Sequence, residues 1–146
     1  MAISRNVFFR GAGGSSENVE YSATVNEDVT EGHVLSFFPD GLFGQLRKAR
    51  AATNQVVGIA QQNAKQGGKC NIVQHGLTKV FMDNAPEKSD NGKPVYLSAD
   101  TNGVASLSAP SSSGSNVIKI GYLYGADGNT TSPEVVLNFQ FIVFIG

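Results

Sequence analysis

Two histidines, one cysteine and a scatter of carboxylates are the side chains in this sequence that could do chemistry, and their spacing argues against most of it. A local zinc site needs histidines or cysteines a few residues apart. His33 and His75 each stand alone, and Cys70 has no second cysteine to work with. Cys70 lies within Lys69-Cys70-Asn71-Ile72-Val73-Gln74, which alternates as a half-buried strand does, and nothing nearby supplies a nucleophile's base. The expectation is an inert, buried strand thiol. His75, beside Gly76, is expected to be solvated at a turn.

Asp83, Glu87, Asp90 and Asp100 fall in polar turn sequence. They lack the alternating ligand positions and closing glutamate of a calcium loop, so they read as a solvated acidic loop. The glycines at 11, 13 and 14 offer no phosphate cradle, because Gly-x-x-x-x-Gly-Lys-Ser/Thr is missing and no helix follows. The basic segment from Arg47 to Lys79 contains no aromatic residue, so it lacks the stacking platform of a nucleic-acid groove. A small β-barrel hydrolase would need paired carboxylates or a Ser/His/Asp set, and no local spacing provides either. The sequence thus predicts a protein that is not an enzyme, with no catalytic, metal or cofactor-binding residues and no nucleic-acid or membrane partner.

The elements that would carry any site are strands. Valine, isoleucine, phenylalanine and tyrosine are plentiful, tryptophan is absent, and the 17 glycines among 146 residues exceed the usual share of about 7%. Residues 19–25 alternate, with Val19, Tyr21, Ala23 and Val25 on one side. Runs at 34–38, 56–60, 69–74, 77–82, 94–98, 104–107, 117–124 and 135–145 have strand character. Asp40-Gly41, Asn91-Gly92, Asn102-Gly103 and Asp127-Gly128 are tight-turn signals, and Gly76 is expected to close a hairpin between the runs at 69–74 and 77–82. Residues 45–52 contain good helix formers, yet a hairpin around Asp40-Gly41 pairs them with residues 34–38, so a strand is expected. The fold class predicted is all-β, a small barrel or sandwich of many short antiparallel strands.

Residues 1–16 read as a flexible N-terminal arm and residues 17–146 as a single β-rich domain. The arm's Asn6-Val7-Phe8-Phe9-Arg10 is apolar enough to dock on something, and the Gly/Ser stretch after it is a hinge. The arm lacks the apolar centre of a secretory signal, and no stretch reaches the roughly 18 apolar residues that span a bilayer. A soluble protein made in a reducing compartment is expected. Formal charge is −1, but every charged side chain from Glu17 to Asp40 is acidic and every one from Gly41 to Val80 is basic. Two solvated faces are the expectation, with pairing inside the fold or between subunits as the alternative. In the final run Leu137, Phe139, Phe141 and Val143 share one face while Ile142 and Phe144 lie on the other. A strand apolar on both sides is either central to the core or buried against another subunit.

The ordered set Val56-Val57-Gly58-Ile59-Ala60, Ala64, Gly67, Ile72-Val73 and Gly76, continued by Gly92-Lys93-Pro94-Val95-Tyr96-Leu97 and Ile118-Lys119-Ile120-Gly121-Tyr122, resembles the head decoration (cement) proteins of tailed bacteriophages. The resemblance covers residues 17–137. It implies a structural virion protein, made in the host bacterial cytoplasm, that sits on the capsid exterior as a homotrimer and bridges major capsid subunits. The implied partners are the major capsid protein and other copies of the chain. Neither end of the chain belongs to the matched pattern. Arg5, Val7, Phe8, Phe9 and Arg10 are expected to form a capsid-contact arm, and Phe139, Phe141 and Phe144 a core or subunit interface. The alternative is a phage tail or receptor-binding module whose loops at 111–116 and 127–132 face a host surface glycan.

Overall fold

Runs of β-branched and aromatic residues, cut at intervals by polar turns, fold as strands through most of the chain that the computed structural model describes, which is residues 19–38, 45–53 and 55–146. The strands are β1 (Val19–Thr24), β2 (Val34–Phe38), β3 (Gln45–Lys48), β4 (Gly58–Ala60), β5 (Lys69–Lys79), β6 (Pro94–Leu97), β7 (Ala105–Ser106), β8 (Asn116–Leu123) and β9 (Glu134–Phe144). A 3-10 turn, Lys88–Asp90, interrupts them. The pairings of these described strands are antiparallel, in the order β3-β2-β4-β5-β9-β8-β6-β7 with β1 added to β5. This single sheet curls into a half-barrel, and the all-β class is the one expected.

Neighbouring residues of a strand point to opposite faces, and here both faces of the central strands are covered. Val34, Ile59 and Val73 enter the larger core with Val95, Ile118, Ile120, Val135 and Leu137. Their neighbours Leu35, Ala60 and Ile72 enter a second core with Val25, Leu46 and Cys70. Strands covered on both faces need uninterrupted apolar runs, which accounts for Val56-Val57-Gly58-Ile59-Ala60 and Ile72-Val73. Each fully buried isoleucine of this group stabilises the fold by about 1.5–3 kcal/mol.

Of residues 45–52, expected as a strand, 45–48 pair with β2, Leu46 opposite Phe37, while 49–52 leave the strand and turn. The turns at Asn91-Gly92, Asn102-Gly103 and Asp127-Gly128 lie between strands as predicted. Asp40-Gly41 and the arm with Arg5, Val7, Phe8, Phe9 and Arg10 lie outside the described residues.

The hairpin expected at Gly76 is not there. Strand β5 runs from Lys69 to Lys79 through Gly76, whose φ is 104°. Before it, β5 pairs with β1 on one edge and β4 on the other; after it, Gly76 to Lys79 pair with Leu137 to Glu134 of β9. Residues 77–82 could not fold back on 69–74, because those edges are taken. The pairing with β1 slips at the same place, Val19 facing His75 while Glu20 faces Val73. A glycine at positive φ beside a slipped register is a bulge that redirects a strand. It makes β5 the strand shared by the two halves of the sheet.

Candidate functional site

The chemistry-bearing side chains are placed where the fold uses them. Cys70 is fully buried on β5, its Sγ 3.4 Å from the Asn71 carbonyl oxygen and 3.6 Å from that of Gln62. Burial pushes its thiol pKa up, away from the reactive thiolate. His33 stacks on Phe81 with ring centroids 5.6 Å apart, and its Nδ1 accepts the Thr30 N–H at 3.0 Å. Burial, reinforced by the charge of Lys48, lowers its pKa and favours the neutral ring that this hydrogen bond requires. His75 is exposed, as expected, although on a strand rather than at a turn.

The carboxylates hold loops. Glu87 and Asp90 bracket the 3-10 turn, Asp90 accepting the Glu87 N–H at 2.9 Å and the Lys93 ammonium at 2.7 Å. The Lys93 hydrogen bond, helped by the Glu87 N–H, holds the Asp90 carboxyl below its usual range. Among the described residues no three of His, Cys, Asp and Glu lie together as a metal site would require.

The acidic and basic segments do not form two separate faces; they meet. Glu27 accepts from Arg50 at 3.0 Å and from the Lys48 N–H at 2.8 Å. Burial alone would raise the Glu27 pKa, but these bonds and the charges of Arg50 and Lys48 bring it below the ordinary value. Asp28 accepts the Gln66 N–H at 2.8 Å and lies 3.5 Å from the Lys65 ammonium on the open surface. Residues 26–28 must reach residues 48–50 and 65–66 to close the second core, and this brings opposite charges together.

What remains for function is surface. On the face of the sheet opposite Val135 and Leu137, register places Pro94, Tyr122, Val136 and Leu77 in a row across β6, β8, β9 and β5. Tyr122, Val136 and Leu77 are 39%, 42% and 37% exposed, and Tyr124, just past the end of β8, is 61% exposed. Lys119 leans over this face, its ammonium donating to the Tyr122 hydroxyl at 2.7 Å. Leu77, Val136 and Pro94 were not expected at a surface site. The signal was present as apolar residues at outward positions, but only the register aligns them.

The second surface is the far end of β9. Its first four residues pair with β5 and β8, whereas beyond Leu137 its pairing is with β8 alone among the described strands. Phe141, Ile142, Val143 and Phe144 are 50%, 47%, 49% and 56% exposed. Of the three phenylalanines expected at a core or interface, Phe139 packs against the larger core. Phe141 and Phe144 are half exposed and lie outside that core among the described residues. The cause is geometric: β9 outruns the half-barrel, and its pairing with β8 slips twice, which spoils strict alternation.

No family model matches the sequence, and no curated protein matches it. Among solved structures, the fold is similar to that of the head fiber gp8.5 N base of bacteriophage phi29. The TM-score is 0.52 at 16% identity, and the match covers 83% of this chain and 94% of that one. At that identity the likeness is one of fold.

Proposed function

We propose that this chain is a structural virion protein that binds the outer surface of a phage capsid and stabilises it by bridging major capsid subunits. The observation that carries the reading is the fold it shares with a phage head-fiber base, in the direction that the decoration-protein motifs of the sequence already indicate. The geometry supports it: the polar chemistry described above is engaged in holding loops, and large apolar side chains are presented outward. Isolated exposed apolar residues are ordinary, but aligned ones mark a docking surface.

In this reading the row Pro94–Tyr122–Val136–Leu77 lies against the shell, and Arg5, Val7, Phe8, Phe9 and Arg10 extend along a capsid subunit, adding a strand to it. Symmetry repeats each weak contact, so modest local affinity becomes firm attachment against internal DNA pressure. The partners are the major capsid protein and further copies of the chain, as a homotrimer on the capsid exterior.

Mixing the purified protein with expanded, undecorated capsids of the cognate phage and imaging them by cryo-electron microscopy tests the reading. Ordered density at symmetry-related sites is expected, and bare capsids would overturn it. One observation favours a second reading, a tail or receptor-binding module: Tyr122 and Tyr124 are exposed beside Lys119, and aromatic faces of this kind stack on sugar rings. Binding in a glycan screen that is lost in Tyr124→Ala, together with bare capsids, would move the assignment there.

A further inference from the structure

The far end of β9 combines three properties. Its outer edge has no partner among the described strands, so its backbone N–H and C=O groups form a template for another strand. It lacks the charge and proline devices that keep such edges apart, since residues 135–146 contain no lysine, no proline and no charged side chain of either sign. It is also apolar on both faces, and its two half-exposed phenylalanines alone present on the order of 200 Å². Ile142 and Val143 add to this, so the patch supplies a substantial part of the roughly 800 Å² per partner of a stable interface.

The lack of charge identifies the occupant. Where copies meet close to a symmetry axis the same groups of each copy approach one another, so a charged patch there would repel its own copy while a neutral one does not. A foreign protein is steered by complementary charge, which Lys119 offers beside the Pro94–Leu77 row and which this tip lacks. We infer that the β9 tip is where copies of this chain bury one another, with Phe141 and Phe144 at the contact. This deepens the self-association within the reading above and is tested separately from it.

The test is sedimentation equilibrium of the free full-length chain, with circular dichroism to confirm folding. The native protein is expected to self-associate. Phe141→Lys/Phe144→Lys and Phe141→Glu/Phe144→Glu are each expected to weaken association by about ten-fold or more. An equimolar mixture of the two variants is expected to restore it in a salt-sensitive way. Should either double variant fail to fold, Ile142→Lys must show the same loss. Three results would overturn the inference: a native chain monomeric at roughly 100 µM, charged variants that associate as the native chain does, or a monomer that associates only once residues 1–18 are removed, which would make that segment the occupant. Bare capsids with an associating free protein would sink the capsid reading and leave this interface standing; the reverse pattern would do the opposite.

Discussion

Gly58 of β4 lies so close to Val73 of β5 that a Cβ placed on it would come 2.8 Å from the Val73 carbonyl oxygen and 3.1 Å from Ile72 Cδ1. The two strands meet here between both cores, so the backbone has no direction in which to yield. Gly58→Ala should therefore cost about 1–3 kcal/mol through overpacking, a fall of several degrees in the thermal midpoint. Scanning calorimetry checks this, and an unchanged midpoint would show that β4 moves freely.

Gly76 carries the bend of β5 at a φ of 104°. A Cβ in that region is strained, so Gly76→Ala is expected to lose at least about 1 kcal/mol. The loss should be accompanied by faster hydrogen exchange at residues 76–79 and 134–137, where β5 meets β9. Equal protection in variant and native protein would remove the bulge from its assigned role.

Glu27 gives the fold a dependence on acid. Its carboxyl pKa is lower folded than unfolded, so the unfolded chain binds the extra proton first. The stabilisation is present above the ordinary value of 4.5 and is lost as the pH falls through the lower folded value. Glu27→Gln should remove about 1 kcal/mol at neutral pH, a figure kept small because both partners are partly exposed. Urea unfolding at successive pH values should show the native and variant curves converging below that window; curves that stay parallel would assign the acid sensitivity elsewhere.

Cys70 should resist a thiol reagent in the folded protein and react at once in denaturant, since it is buried and its thiol pKa is raised. Rapid modification under native conditions would mean that the second core opens far more readily than its packing indicates.

The strands and most turns were legible because they rest on local rules: alternation, β-branched runs, and glycine after asparagine or aspartate. The course of β5 was not. Gly76 carries the same signal for a hairpin as for a bulge, and the choice depends on β1 and β4, which reach β5 from distant parts of the chain. The β9 tip was legible in part, because a run apolar on both sides and free of charge has no solvent face. The row from Pro94 to Leu77 was not, because it exists only once four strands have taken their register. That the acidic and basic segments pair inside the fold stood only as the alternative, and Glu27 with Arg50 could not be named, because sign segregation along a sequence says nothing about which segments a core draws together.

The shared strand has a mechanical consequence. Strands β1 and β9 both pair antiparallel with β5, before and after its bend at Gly76, so they run in the same sense along it near the two ends of the described chain. A pull that separates the start of β1 from the end of β9 therefore acts along the strand axes. It loads the rungs of both ladders together, in shear, instead of opening them one after another like a zip. A sheet wired in this way holds tension best in the direction in which its two ends would be drawn apart.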